Sequence, residues 1–328
     1  MNVGIVGAGL VGKKRAKSLE GLDVRLVSVA DVIEDRAKTL ANKYNCSYTT
    51  TWKSLVKDDS IDIVIISTIH KFLAEIAIEA IKNNKHILIE KPAARNSKEI
   101  EEIMKAANGK DIKIKVGYNH RFHPAIMKAK EIFDRGEIGP VMFIRGRYGH
   151  GGRKDYHKEW RAFKETAGGG ELLDQGTHLI DLSRIFMGNF SSAIGYTKTF
   201  FWDMEVEDNC FALLKNEKGQ IASLHASWTQ WKNLFSFEIF GKIGQLNIDG
   251  LGGSYGTETL TFYKMKPEFG VPDKKVFEFP GEDLSWKLET KNLLDAIQKN
   301  TPINGTLEDA YEVMKTVEEI YRWNEQHK

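Results

Sequence analysis

In the stretch GGGELLDQGTHLIDL, Gly168 to Leu182, a carboxylate and an imidazole, Asp174 and His178, stand four residues apart just after three glycines. Leu172, Leu173, Leu179, Ile180, Leu182, Ile185 and Phe186 recur at helical spacing, which predicts an amphipathic helix of about four turns. Positions i and i+4 lie one above the other on a helix, so Asp174 and His178 are expected to share a face that Asp181 extends. An imidazole titrates near neutrality and is suited to take a proton, while the acid beside it orients the imidazole or the substrate. A solvated helix face carrying a structural ion pair would read the same way. The surrounding elements have to decide between the two.

Lys91 is the other candidate. It follows the strand-like run HILIE in Glu90-Lys91-Pro92, at the carboxyl edge of a sheet, where ligands of open α/β sheets bind. Pro92 restricts Lys91 to extended geometry and so narrows the direction of its ammonium. A lysine just past a strand end is otherwise a common solvated residue. Gly7, Gly9 and Gly12 form G-x-G-x-x-G between the first strand-like run and a helix that Leu10 and Val11 open. This pattern permits a tight turn, close approach of a pyrophosphate, and anion binding by unpaired helix N–H groups. Asp31 ends the second strand-like run, where a carboxylate would accept hydrogen bonds from an adenosine ribose diol and repel a 2′-phosphate. NAD is therefore expected over NADP. An N-cap aspartate fits the same position, and Lys13 and Lys14 keep NADP open.

The elements that must hold these residues alternate in the first half. VGIVG, VRLVSVAD, IDIVIIST and HILIE read as strands, GAGLVGKKRAKSL, EDRAKTLANKY and AEIAIEAIKNN as helices, and IKIKVGY as a closing strand near residue 118. Continuous β-branched runs between helices predict a doubly wound parallel sheet in a domain spanning 1–120. From 121 to 328 the segments PVMFIRGRYG, CFALLKN, QIASLHASW, SFEIFG and TLTFYKM read as strands of a wide sheet, with Trp228, Trp231, Phe235 and Phe237 either in its core or on an exposed face. Two helices are expected to close the chain, one from Ser285 to Asn300 and one from Leu307 to about Gln326 with Thr306 as N-cap.

Length and composition narrow the class. The 328 residues are 41% hydrophobic and 28% charged, enough for two domains with substantial cores. A formal net charge of +2 offers no whole-molecule field for nucleic acid or an anionic membrane. The two cysteines, Cys46 and Cys210, have neither disulfide nor metal-ligand spacing, so no metal is expected and a reducing cytoplasm fits. No leader and no membrane-length apolar run is read.

Together, GIVGAGLVG, IEKPAA, GYNHRFHP and GGGELLDQGTHLIDL resemble, in order and spacing, the glucose-fructose oxidoreductase / inositol dehydrogenase / MocA family. The resemblance implies an NAD(P)-binding Rossmann domain followed by an α+β domain with a large, mostly antiparallel sheet. One face of that sheet would join subunits into a homodimer or homotetramer. It also implies reversible oxidation of a sugar or cyclitol hydroxyl. Lys91, Asp174 and His178 would be catalytic, with His178 or Lys91 as the base. Thr68, His70, Glu90 and Lys91 would join the glycine loop and Asp31 at the cofactor, and Asn119 and Arg121 would join the catalytic residues at the substrate. The family commonly has T-P-N-x-x-H after the fourth strand, whereas this chain reads TIHKFL, with Ile69, His70 and Leu73 in those places, so His70 could hydrogen-bond the cofactor or merely cap the following helix.

HGGRKDYHKEWRAFK, His150 to Lys164, precedes the three glycines and interleaves basic and aromatic side chains. Arg153, Lys154, Lys158 and Arg161 could hold phosphate, and Tyr156 and Trp160 could stack a ring. A solvated loop over the cleft would have the same composition. This segment is also similar to family members tied to surface-polysaccharide and nucleotide-sugar pathways, which favours a nucleotide-linked pyranose over free inositol. The rivals are a non-catalytic NAD-binding regulator and an enzyme that cleaves a glycosidic bond through transient oxidation.

Overall fold

The computed structural model describes residues 1–327, in two compact units. The first comprises Met1–Asn119, Glu165–Ala167 and Trp286–Tyr311, and the second His120–Lys164, Gly168–Ser285 and the residues from Glu312 onward.

In the first unit β1 (Asn2–Val6), α1 (Leu10–Ser18), β2 (Arg25–Ala30), α2 (Glu34–Tyr44), β3 (Ser47–Thr49), α3 (Trp52–Val56), β4 (Ile63–Ile66), α4 (His70–Lys82), β5 (His86–Glu90), α5 (Ser97–Ala107) and β6 (Ile114–Gly117) follow in order. The strands form a sheet of order β3-β2-β1-β4-β5-β6, with every pair parallel. All four residues of β4 are buried, as an unbroken run of isoleucine and valine demands of a strand covered on both faces. Ladder order reverses at β1 and β4, whose carboxyl ends carry Gly7 and Ser67.

A single cut near residue 120 does not describe the division. The chain leaves the first unit there but returns to it at Trp286, because Leu293 and Leu294 complete the core of Val3, Ile5, Val29 and Leu40. The same return places the Glu289 carboxylate against Arg15.

The second unit opens with α6 (Pro124–Asp134), β7 (Val141–Gly149) and, after the short α7 (Lys164–Ala167), whose last three residues belong to the first unit, α8 (Thr177–Met187). Then come β8 (Ser192–Lys198), β9 (Asn209–Lys215), β10 (Ile221–Ser227), β11 (Leu234–Gly241), β12 (Gly244–Asp249), β13 (Glu258–Lys264) and β14 (Asp273–Phe279). Eight strands in the order β14-β13-β12-β11-β7-β10-β9-β8 pair antiparallel throughout, except β7 with β10. Alternation sets the faces: Ile144, Gly146 and Tyr148 of β7 point inward while Phe143, Arg145 and Arg147 are exposed. α8 packs across β7 and β10. A Cβ on Gly146 would stand 3.1 Å from Leu179, so the glycine admits the helix. Trp228, Phe235 and Phe237 are core, whereas Trp231 is exposed.

The closing helices are α9 (Ser285–Lys299) and α10 (Leu307–Gln326). Thr306 caps α10 as expected: its Oγ accepts from Asp309 N at 3.1 Å, and the Asp309 carboxylate accepts from Thr306 N at 3.0 Å. Among the described residues no helix is long and apolar enough to cross a membrane.

Candidate active site

The glycine turn of the first unit is shaped for a dinucleotide. Gly7 has φ +99°, a left-handed conformation that leaves its N–H donating to Ala30 O at 2.7 Å. A Cβ on Gly12 would lie 1.9 Å from Gly7 O, so α1 can pack on the turn only without a side chain there. Nothing stands within 4 Å of where a Gly9 Cβ would be, the open approach a pyrophosphate requires. The first turn of α1 has neither an acidic residue nor a side-chain cap, so the N–H groups of Leu10, Val11 and Gly12 are free of anionic competition. Ser67 steadies the turn by donating to Gly7 O at 2.9 Å, and Thr68 Oγ donates to Ile69 O at 3.3 Å.

Asp31 accepts from Ala8 N at 2.7 Å and from Ile33 N at 2.9 Å. Its carboxylate therefore organises the glycine turn. Leu10, in the first turn of α1, and Val32, next to Asp31 in the sequence, are exposed at 68% and 82%. Asp31→Ala is expected to weaken NAD binding by about 1–3 kcal/mol, the cost of losing charge-assisted hydrogen bonds, and NADP binding by less. Titrating both nucleotides into wild type and variant checks this, and equal losses would contradict it.

Lys91 lies immediately after β5 in a turn closed by Ala93 N donating to Glu90 O at 2.9 Å, with a cis Lys91–Pro92 peptide. Glu90, expected at the cofactor, is instead buried against Arg15, which donates from Nε to Glu90 at 2.5 Å and from Nη1 to Glu289 at 2.5 Å. Burial pushes the Glu90 carboxyl above the usual range, and Arg15 opposes that shift. This ion triad sets the strand end from which Lys91 emerges. His70 opens α4 and donates from Nδ1 to Ala167 O at 2.8 Å, so the ring anchors the 165–167 segment. Leu73, in the family's histidine position, is fully buried.

In the second unit the predicted helix is not regular. Leu172–Gly176 forms a π-helical turn before α8, so the turn holds one more residue than an α-helix and the angular offset of Asp174 from His178 changes. Residues far along the chain hold its start. The Glu207 carboxylate accepts from Gly170 N and Leu172 N at 3.1 Å and from the Tyr321 hydroxyl at 2.7 Å, capping the helix start. A Cβ on Gly169 would lie 2.2 Å from Tyr321 Oη, and one on Gly170 2.0 Å from Glu207 O. The triple glycine thus serves close backbone packing.

The substrate candidates separate by partner. Asp174 accepts from Arg161 Nε at 3.1 Å, with the Arg161 guanidinium 4.4 Å above the Trp160 ring. The buried His178 ring stacks on His120 at 3.7 Å, and Tyr148 packs 5.2 Å from His120. Burial holds His150 below the usual histidine range, although Asp174 opposes that shift, and Gly152 N donating to His150 Nδ1 at 2.9 Å leaves the proton on Nε2. Asp174, His178, His120, Tyr148 and Arg161 therefore form one polar cluster around the helix start, of which the sequence had named only Asp174, His178 and Arg161.

The remaining candidates are placed as follows. Arg121 spends its fork on Asp181, at 2.8 and 2.5 Å, inside the unit. Tyr156 is buried between Trp228 and Trp202 as core. In the basic loop Arg153 pairs with Glu159 at 2.6 Å, Lys158 with Asp155 at 2.8 Å, and Arg161 with Asp174. Asn119 is buried at the end of the first unit's main segment.

Comparison with known proteins now decides the family. Residues 1–118 match an oxidoreductase family with an NAD-binding Rossmann fold, and residues 126–247 match the GFO/IDH/MocA C-terminal domain. The chain belongs to the Gfo/Idh/MocA family. It is an oxidoreductase with an NAD-binding Rossmann domain. It is similar to levoglucosan dehydrogenase of Pseudarthrobacter phenanthrenivorans, with 29% identity over 75% of this chain and 73% of that protein. It is also similar to inositol 2-dehydrogenase of Salmonella paratyphi B, with 28% identity over 51% of each chain. Among solved structures, levoglucosan dehydrogenase in complex with NADH superposes with a TM-score of 0.91, covering 100% of this chain and 98% of that one at 24% identity, which shows a shared fold.

Proposed function

We propose that the protein is an NAD-dependent dehydrogenase that reversibly oxidises a secondary hydroxyl of a sugar or cyclitol. The observation that carries the reading is the buried cluster of the second unit, where an imidazole, His178, and a carboxylate fixed by Arg161, Asp174, lie in one short helical segment of a family member with an NAD-binding domain. The names of levoglucosan dehydrogenase and inositol 2-dehydrogenase among its relatives support the substrate class.

When bound, NAD supplies the hydride acceptor. Gly9, the first turn of α1, and Asp31 would hold it. His178 takes the hydroxyl proton, Asp174 orients the substrate while Arg161 holds its carboxylate in place, and Lys91 stabilises the negative charge that develops on oxygen. Lys91 is the rival base.

An uncharged substrate is favoured. With Arg153, Lys158 and Arg161 neutralised by acids of their own unit, the loop offers a diphosphate little unpaired charge. The nucleotide-linked pyranose is the second reading, resting on the loop's composition and on the exposed Lys154. Measuring kcat/KM on matched free and nucleotide-linked sugars decides between them. The free sugar is expected to be better, and an Arg153→Ala variant is expected to lose no selectivity for the nucleotide. A preference for the nucleotide-linked sugar that this variant abolishes would establish the second reading.

Ile194, Tyr196, Phe211 and Leu213 are exposed on the outer face of the eight-stranded sheet, and we assign that face to a second copy of the chain. A monomer by light scattering at micromolar concentration would overturn this. The free thiols of Cys46 and Cys210 fit the reducing cytoplasm.

A further inference from the structure

An imidazole turns about two side-chain bonds, and the second, which sets the plane of the ring, has a broad energy profile. A base that must present one nitrogen to a substrate hydroxyl therefore needs something outside itself to fix that plane. His178, the second residue of α8, is 4% exposed, and the His120 ring lies against its face, with centroids 3.7 Å apart and planes 22° from parallel. Both residues belong to the second unit. A ring pressed flat against another cannot turn about that bond without driving its edge into the neighbour.

His120 is held in its turn. It is buried, with the ring of Tyr148 from β7 at 5.2 Å and that of Phe235 from β11 at 6.0 Å, tilted by 58° and 59°. Tyr148 and Phe235 stand opposite one another across the β7–β11 ladder with their rings 5.4 Å apart, so the sheet supplies a fixed floor. The other support is a tight turn. His123 N donates to His120 O at 3.3 Å, and the His123 ring meets that of His120 edge-on at 5.5 Å. His123 is buried and donates from Nδ1 to the Glu258 carboxylate at 2.8 Å. Glu258, at the start of β13, also accepts from Ala125 N in the first turn of α6 at 2.6 Å, so one carboxylate fixes both the His123 ring and the start of the helix that follows it.

We propose that His120 is a positioning residue: its ring sets the plane of the His178 imidazole, and Glu258, through His123, sets the ring of His120. The inference rests on the dehydrogenase reading, in which His178 takes the hydroxyl proton, and adds the residue that aims it. What matters at position 120 is a flat ring at that separation, neither bulk alone nor a second titrating group. Phenylalanine supplies the same face, leucine fills the space without one, and alanine removes both.

The test compares His120→Ala, His120→Leu and His120→Phe with wild type, using the NAD-loaded protein and a sugar or cyclitol that it turns over. The alanine and leucine variants are each expected to lower kcat by at least ~10-fold while KM changes by less than about 2-fold, because a base turned out of line costs rate and not affinity. His120→Phe is expected to recover most of that loss. Equal activity of His120→Leu and His120→Phe would mean that bulk alone is needed, and His120→Phe as slow as His120→Ala would mean that the imidazole itself acts. Either result would overturn the proposal, as would a rise in KM in place of the fall in kcat. A second measurement needs no turnover. In protein labelled in its histidine rings, the carbon-bound proton signals of His178, identified by their loss in His178→Ala, are expected to carry the ring-current shift of a stacked partner in wild type and His120→Phe, and to move in His120→Ala and His120→Leu. Absence of turnover on every sugar and cyclitol would sink the dehydrogenase reading, whereas His178 signals unmoved by His120→Ala would overturn the positioning role.

Discussion

His178→Ala is expected to lower turnover by at least ~10²-fold while leaving NAD affinity nearly unchanged, and Lys91→Ala is expected to do likewise. The two changes remove different groups, and their pH dependence separates them. If His178 is the base, the wild-type kcat/KM rises with pH through the titration of an imidazole, and that limb disappears in His178→Ala but persists in Lys91→Ala. The reverse pattern would make Lys91 the base. Wild-type turnover in either variant would remove that residue from the mechanism. NAD affinity guards against misfolding of the first unit, which carries Lys91.

Arg15→Met is expected to destabilise the protein by about 3–5 kcal/mol, because it strands two carboxylates, Glu90 and Glu289, away from water with no cation between them. Gly117 shows how closely the site is fitted, as a Cβ there would stand 2.7 Å from Arg15 Nη2. The loss should appear first around α9, which the Arg15–Glu289 bond ties to α1. Trp286 lies 4.5 Å beneath the guanidinium, so its fluorescence reports on that region. Urea unfolding followed by tryptophan emission measures the effect. A change below about 1 kcal/mol would mean that water reaches the carboxylates and that the triad is not the clamp described.

Much of this was legible in the sequence where backbone chemistry dictates residue type. Parallel strands covered on both faces must be apolar throughout, so Ile63–Ile66 and its neighbours announced the sheet. Gly7 needs a left-handed conformation, and Gly12 needs space only hydrogen can occupy. Thr306 and Asp309 cap each other over three residues, and such local pairs are readable. What was not legible depends on distant residues. Nothing in GGGELLDQG announces a π turn, since Glu207 and Tyr321, which fix its start, lie far downstream. Composition made the loop from His150 to Lys164 look like an anion site, but composition does not show that Arg153, Lys158 and Arg161 each face an acid. Arg121 and Glu90 were read as ligand contacts because they sit in motif positions, and their ion pairs with Asp181 and Arg15 were not legible because the partners lie far along the chain.

The central claim is that the protein oxidises a secondary alcohol of a sugar or cyclitol, hydride passing from the carbinol carbon to NAD and the hydroxyl proton to a base. Incubating the purified protein with excess NAD and a panel of free sugars, cyclitols and nucleotide-linked sugars, while following absorbance of the reduced nicotinamide, tests it most directly. The account predicts sustained formation of NADH matched mole for mole by a ketone product, on an uncharged ring in preference to a nucleotide-linked one. NAD binding without turnover across the whole panel would point to a regulator, and glycoside cleavage without net NADH would point to transient oxidation; either result would contradict the account.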